Sequence, residues 1–183
     1  AEKLGQTCVF DPMDAAEGSA LFERAAVLAG EAGDANAQAR AAYWLAYVNY
    51  GRGRARQAVR HSETALAHAE RGGDPRLVAQ IKATLGQSLA SAGQSMRALP
   101  LLREAVESKR RHSRPGSGTA IGSAYSMGRM GYTLADLGRF GEAAEAFAEA
   151  LHLMGPELHS VAASVRELIC AAHLWQGRWA EAE

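Results

Sequence analysis

The sequence predicts an all-α fold in which pairs of helices repeat along the chain as a solenoid. Segments of roughly 15 to 20 residues carry apolar side chains at helical spacing, and no segment has the pattern of a strand. Short stretches rich in glycine, proline and aspartate separate these segments, as helix ends require. One set of landmarks also recurs at near-constant offsets: Leu45, Ala46, Gly53, Ala58 and Ala65; Leu85, Gly86, Gly93, Ala98 and Ala105; and Met130, Gly131, Gly138, Ala143 and Ala150.

The repeat is long, and partial copies stand at both ends of the chain. The last alanine landmark recurs at Ala25, Ala65, Ala105 and Ala150, so successive copies are about 40, 40 and 45 residues apart. A further copy begins at Ile169 and Gly177, and half of another is marked by Gly18 and Phe22. We therefore predict one repeat domain over residues 1–183, with about four and a half repeats cut from a larger protein. The predicted repeat fragments are about 1–34, 35–74, 75–115, 116–155 and 156–183.

Each full repeat is predicted to contain a first helix, A, and a second helix, B. A helix B begins at about Asp14, and the next helix A covers about 35–51. Gly73, Asp74 and Pro75 then provide a C-terminal glycine, an N-cap and a first-turn proline between a helix B at about 54–71 and a helix A at about 75–92. The later helices are predicted at about 95–111, 119–137 and 141–154, and a last helix A extends through Trp175. A loop at 110–118 holds the extra residues of the long step.

These landmarks resemble the tetratricopeptide repeat. That repeat has a small residue where helix A meets helix B, a glycine at the turn between them, and alanine at two close-packing positions of helix B. The resemblance covers nearly the whole chain, but the period exceeds the usual length of about 34 residues. With this longer period, the segments 98–105 and 134–143 are similar to the repeat region of bacterial adenylate or guanylate cyclases that carry an ATPase. The resemblance implies a right-handed α-α superhelix that serves a larger bacterial signalling protein.

Composition and charge disfavour several classes of partner. Twenty basic and twenty acidic residues give a formal net charge of zero, so no strong field would attract nucleic acid or an anionic membrane. No run of about 18 apolar residues could span a membrane. Cys8 and Cys170 stand far apart in helical sequence, as reduced thiols in a cytoplasmic protein would. We therefore expect a cytoplasmic protein without membrane or nucleic-acid partners.

No motif in the sequence predicts catalysis, a metal or a cofactor. The histidines are scattered and form no His-Glu-x-x-His motif or zinc-ligand set; they are His61, His68, His112, His152, His159 and His173. Gly116 to Gly122 has neither the spacing nor the lysine of a phosphate-binding loop. We therefore predict that this chain is not itself an enzyme.

Two arginine-rich clusters are candidate phosphate contacts. The first contains Arg52, Arg54, Arg56 and Arg60, and the second contains Lys109, Arg110, Arg111 and Arg114. Neither is interleaved with aromatic residues, and both lie at a turn or on helix B, so a solvated face is favoured over a nucleic-acid surface.

The resemblance to tetratricopeptide repeats implies that one stripe of each helix A lines a concave groove where a partner binds. A tyrosine suits such a recognition surface, because it pairs a large apolar face with a hydroxyl, but it also suits a half-buried packing site. The favoured function is recognition of a protein, a peptide or a small ligand in this groove. The alternatives are a structural spacer or homo-oligomerisation arm and, less favoured, a nucleic-acid adaptor. The groove residues selected by their offsets are Arg40, Tyr43, Tyr47, Gln80, Gln87, Tyr125, Tyr132 and Glu167, together with Ala83 and Gly128.

Overall fold

A computed structural model describes residues 15–110, 118–154 and 160–182. These residues form only α-helices and turns, so the predicted all-α fold of repeated helix pairs is confirmed. The predictions on Cys8, His112, His159, Arg111 and Arg114 lie outside the described residues. The helices are α1 (Ala15–Glu31), α2 (Ala35–Gly51), α3 (Ala55–Gly72), α4 (Pro75–Ser91), α5 (Ser95–Arg110), α6 (Gly118–Asp136), α7 (Phe140–Met154) and α8 (Ser160–Trp175).

Contacts between residues divide the chain into two compact units. Unit 1 comprises residues 1–93 and unit 2 comprises residues 94–183. The division follows Gly93, at the turn between helix A and helix B of the third repeat. The grouping of residues 1–183 into one repeat domain stays a prediction.

In unit 1, helix α2 is the central element. It packs against α1, α3 and α4, and its apolar residues are therefore buried on more than one face, as Trp44, Leu45 and Val48 show. The helices begin and end close to the residues predicted to cap them. The side chain of Asp74 accepts hydrogen bonds from the backbone N–H groups of Arg76 and Leu77 at 3.0 and 3.2 Å, which caps the N-terminus of α4.

Unit 2 has the same organisation around helix α6. This helix packs against α5, α7 and α8, and the core between them includes Met127, Leu134, Phe147 and Val165. The hydroxyl of Ser95, at the start of α5, donates a hydrogen bond to the carboxylate of Asp136 at the end of α6. In both units, helix A is thus the element that neighbouring helices cover.

The glycine landmarks at the turns between helix A and helix B adopt a left-handed backbone. The φ angles of Gly53, Gly93, Gly138 and Gly177 are 70°, 72°, 73° and 71°. A Cβ atom at any of these positions would meet nothing within 4 Å. Backbone conformation, and not lack of space, therefore selects glycine at the predicted turns.

The alanine landmarks of helix B are buried in every full repeat. The first position has exposed fractions of 0%, 0% and 2% at Ala58, Ala98 and Ala143. The second position has exposed fractions of 0%, 6% and 0% at Ala65, Ala105 and Ala150. Burial of the same small side chain at equivalent positions confirms the register of the repeat.

Candidate functional site

The predicted groove residues lie on helix A in both units. Unit 1 contributes residues on α2 and α4, and unit 2 contributes residues on α6 and α8. Their union into one continuous groove stays a prediction, as does their role in recognition. The set in unit 1 is Arg40, Tyr43, Tyr47, Gln80 and Gln87, and the set in unit 2 is Tyr125, Tyr132 and Glu167.

Four aromatic rings form a cluster in unit 1, at Phe22, Tyr43, Trp44 and Tyr47. Trp44 stacks on Phe22 with ring centroids 6.3 Å apart, and the edge of Tyr43 approaches it with centroids 5.2 Å apart. Tyr47 stacks on Tyr43 at 6.1 Å and meets Trp44 edge-on at 5.7 Å. These contacts hold the Tyr47 ring in one orientation.

The two predicted tyrosines of unit 1 differ in what they offer to a partner. Tyr43 is only 8% exposed and belongs to the core, whereas Tyr47 is half-buried at its edge. Burial, followed by the nearby Tyr43 and Tyr50, raises the pKa of Tyr47 above its ordinary value of 10.0. The Tyr47 hydroxyl is therefore protonated at neutral pH and can donate a hydrogen bond.

Polar residues of the predicted groove in unit 1 are divided between surface and core. Arg40 is exposed, and its guanidinium lies 3.4 Å from the carboxylate of Asp74, the N-cap of α4. An exposed pair of this kind contributes little to stability, so Arg40 remains available to a partner. Gln80 is also exposed, but Gln87 is only 7% exposed and offers little surface.

In unit 2, Tyr132 contacts both a cation and a second aromatic ring. The Cζ atom of Arg129 is 5.5 Å from the centroid of the Tyr132 ring, close enough for a cation–π contact. The ring of Trp175, at the end of α8, is 4.9 Å from Tyr132 and tilted by 52°. Tyr125 and Tyr132 are both half-buried, and Glu167 is exposed.

Arg129 and Trp175 were not predicted as site residues. The spacing of three residues between Arg129 and Tyr132 is a signal that sequence analysis could have used, because such residues are neighbours on a helix. The contact between Tyr132 and Trp175 joins two helices. No spacing between residues close in the sequence indicates this contact.

One position of the predicted stripe is a packing position. Tyr43 is equivalent to Ala83 and Gly128 in the repeat, and Ala83 is 4% exposed. A Cβ atom on Gly128 would lie 2.8 Å from Cγ2 of Val165, on the neighbouring helix α8. The small residues at this position are therefore explained by close approach of helices, in agreement with the burial of Tyr43.

Within the described ranges, no group of three or more histidine, cysteine, aspartate or glutamate side chains could hold a metal ion. In the same part of the chain, no helix is both long enough and apolar enough to span a membrane.

The paired helices, left-handed glycine turns and buried alanines define an all-α helical repeat protein. Among solved structures, the chain is similar to BtubC (BKLC) from P. vanneervenii, with a TM-score of 0.70. The match covers 93% of this chain and 69% of that chain at 20% sequence identity, so the likeness concerns the fold alone. No family model and no curated protein matches the chain.

Proposed function

We propose that the chain is a tetratricopeptide-type interaction domain that binds a peptide or protein segment through accessible side chains of helix A. It serves a larger bacterial signalling protein in the cytoplasm and performs no catalysis itself. A small ligand could use the same side chains, because their chemistry is not restricted to peptides.

The observation that carries this proposal is a pair of equivalent tyrosines. Tyr47 follows the landmark Leu45 by two residues, and Tyr132 follows Met130 by the same interval. Both are half-buried, and each is held against another aromatic ring. A ring that is oriented by its neighbours loses little entropy on binding, so it favours selective recognition.

The other exposed residues of the predicted stripe, in each unit, favour a mixed apolar and polar ligand. On α2 and α4, Arg40 and Gln80 supply exposed hydrogen-bond donors. On α8, the exposed Glu167 supplies a carboxylate. Aromatic anchors surrounded by polar groups are typical of protein interfaces in which a few residues provide most of the affinity.

A second function, a spacer or oligomerisation arm, is favoured by the burial of Tyr43 and Gln87. These two residues of the predicted groove are 8% and 7% exposed. If Tyr47 and Tyr132 also served mainly to hold helices together, the stripe would be part of the core. The experiment must therefore separate loss of binding from loss of fold.

The experiment begins with peptides selected on the wild-type chain from a displayed random library, and it measures their Kd by fluorescence anisotropy. We expect Tyr47→Ala together with Tyr132→Ala to weaken binding by about thirtyfold or more, which corresponds to a combined loss of at least about 2 kcal/mol for the two aromatic anchors. Tyr47→Phe with Tyr132→Phe keeps both rings and should retain most of the affinity. Glu145→Ala, an exposed change on the helix B α7, should leave Kd unchanged.

Three outcomes would contradict the proposal. Binding that survives the tyrosine pair but is lost with Arg54→Glu and Arg56→Glu would assign recognition to the arginine cluster. Unfolding of the double alanine variant, seen as loss of helical circular dichroism, would assign the tyrosines to the core and favour the spacer function. Failure to select any peptide above background would remove the basis for peptide recognition.

A further inference from the structure

An arginine-lined cleft lies in unit 1, at the N-terminal end of helix α3. Arg54, Arg56 and Arg60 border it, and Ser91 and Ala92 at the end of α4 complete its wall. Its volume is about 660 Å³, and it is broadly open to solvent. All three arginines are exposed, so their guanidinium groups are accessible from solvent.

At the equivalent turns of unit 2, an arginine forms an ion pair with a nearby glutamate. Arg139 follows the turn glycine and pairs with Glu142, three residues later, at 2.6 Å. Arg178 follows the next turn glycine and pairs with Glu181 in the same way at 3.1 Å. At both of these turns, the arginine immediately after the glycine is thus matched by a carboxylate three residues further on.

In the second repeat, this internal carboxylate is replaced by an amide. Arg54 occupies the position of Arg139 and Arg178, but Gln57 stands where Glu142 and Glu181 stand elsewhere. Residues 52–60 contain four arginines and no aspartate or glutamate. Among the described residues, no carboxylate forms an ion pair with Arg54, Arg56 or Arg60.

We propose that this cleft binds the phosphate group of a small phosphorylated ligand, a property beyond the proposed peptide recognition. Guanidinium groups bind phosphate oxygens through pairs of parallel hydrogen bonds. The start of α3 at the cleft adds the positive end of a helix dipole. A small ligand fits better than a nucleic acid, because the chain has a formal net charge of zero and no extended basic field.

The test uses isothermal titration calorimetry with inorganic pyrophosphate at constant ionic strength. The decisive variant is Gln57→Glu, which restores the carboxylate that unit 2 has at this position. We expect it to weaken pyrophosphate binding by at least about tenfold, the effect of losing one charged hydrogen-bond partner. Folding is not at risk, because Gln57 is exposed and an acidic residue in the first turn of a helix is favourable.

A second variant and a matched control complete the test. Arg56→Gln with Arg60→Gln should also weaken pyrophosphate binding, whereas Arg76→Gln removes an exposed arginine on α4 and should not. The proposal is overturned if pyrophosphate does not bind at millimolar concentration or if Gln57→Glu and Arg76→Gln bind it equally. It is also overturned if an oligonucleotide binds with affinity that grows with its length while pyrophosphate does not compete. Selected peptides that bind all these variants normally would leave peptide recognition intact, so the two proposals can fail separately.

Discussion

Trp44→Ala is expected to lower the free energy of unfolding by about 3 to 5 kcal/mol, the usual cost of removing a buried aromatic side chain. Trp44 is 8% exposed and contacts the rings of Phe22, Tyr43 and Tyr47. Its removal would leave a cavity beside the central helix of unit 1. Urea denaturation followed by circular dichroism at 222 nm measures this loss, at a wavelength that reports helix content and remains usable without the indole.

The chain provides a matched control for this substitution in Trp179→Ala. Trp179 is 68% exposed, so its loss should change the free energy of unfolding by about 0.5 kcal/mol or less. Equal destabilisation by the two tryptophan substitutions would contradict the packing of unit 1. The chain has two compact units. If they unfold in separate steps of the urea transition, Trp44→Ala should shift only the step in which unit 1 unfolds.

Gly131→Ala is expected to lower the free energy of unfolding by about 1 to 3 kcal/mol through overpacking. A Cβ atom at this position would lie 2.9 Å from the ring of Phe147 and 3.2 Å from the carbonyl oxygen of Ala143. Helix propensity alone favours alanine over glycine by about 1 kcal/mol. A measured destabilisation therefore reports the close approach of α6 and α7, and not a change in the helix itself.

Gly141→Ala is the control, because a Cβ atom there would meet nothing within 4 Å. It should leave stability unchanged or increase it by up to about 1 kcal/mol. Phe147→Leu should reduce the cost of Gly131→Ala, since it removes the ring that the new methyl group meets, and a double-mutant cycle measures this coupling. If Gly131→Ala is as harmless as Gly141→Ala, the register that places Gly131 against Phe147 is wrong.

The helix boundaries could be predicted from the sequence because local chemistry sets them. Asp74 caps α4 with its side chain, and Gly73 adopts the left-handed conformation at the end of α3. The predicted start of helix α4 at about residue 75 agrees with Pro75 as its first residue. Such signals act over a few residues, so they are legible without the tertiary structure.

The exposure of the groove residues could not be predicted with the same accuracy. A spacing of four residues places Tyr43 and Tyr47 on one face of α2, yet only Tyr47 is half-buried and Tyr43 is core. Burial depends on which neighbouring helix approaches each turn, and α2 has neighbours on several sides. The small residues Ala83 and Gly128 at the position of Tyr43 were the available signal of that packing.

The arginine-lined cleft could be predicted from the sequence only in part. The density of arginines is visible in the sequence, where it favours a solvated face. The contrast between Gln57 and Glu142 becomes meaningful only when the structure shows that Arg139 pairs with Glu142 across the first turn of a helix B. The absence of that carboxylate in the second repeat then distinguishes a cleft with unneutralised charge from an ordinary turn.

Hydrogen exchange measured by mass spectrometry on a complex with a selected peptide will show whether accessible side chains of helix A form the recognition surface. We expect the peptide to slow amide exchange in the segments of α2 around Tyr47 and of α6 around Tyr132. Helix B segments outside the proposed recognition surface, such as the start of α3 at residues 55–58, should exchange as in the free chain. Slowed exchange confined to the start of α3, with α2 and α6 unchanged, would contradict recognition through helix A.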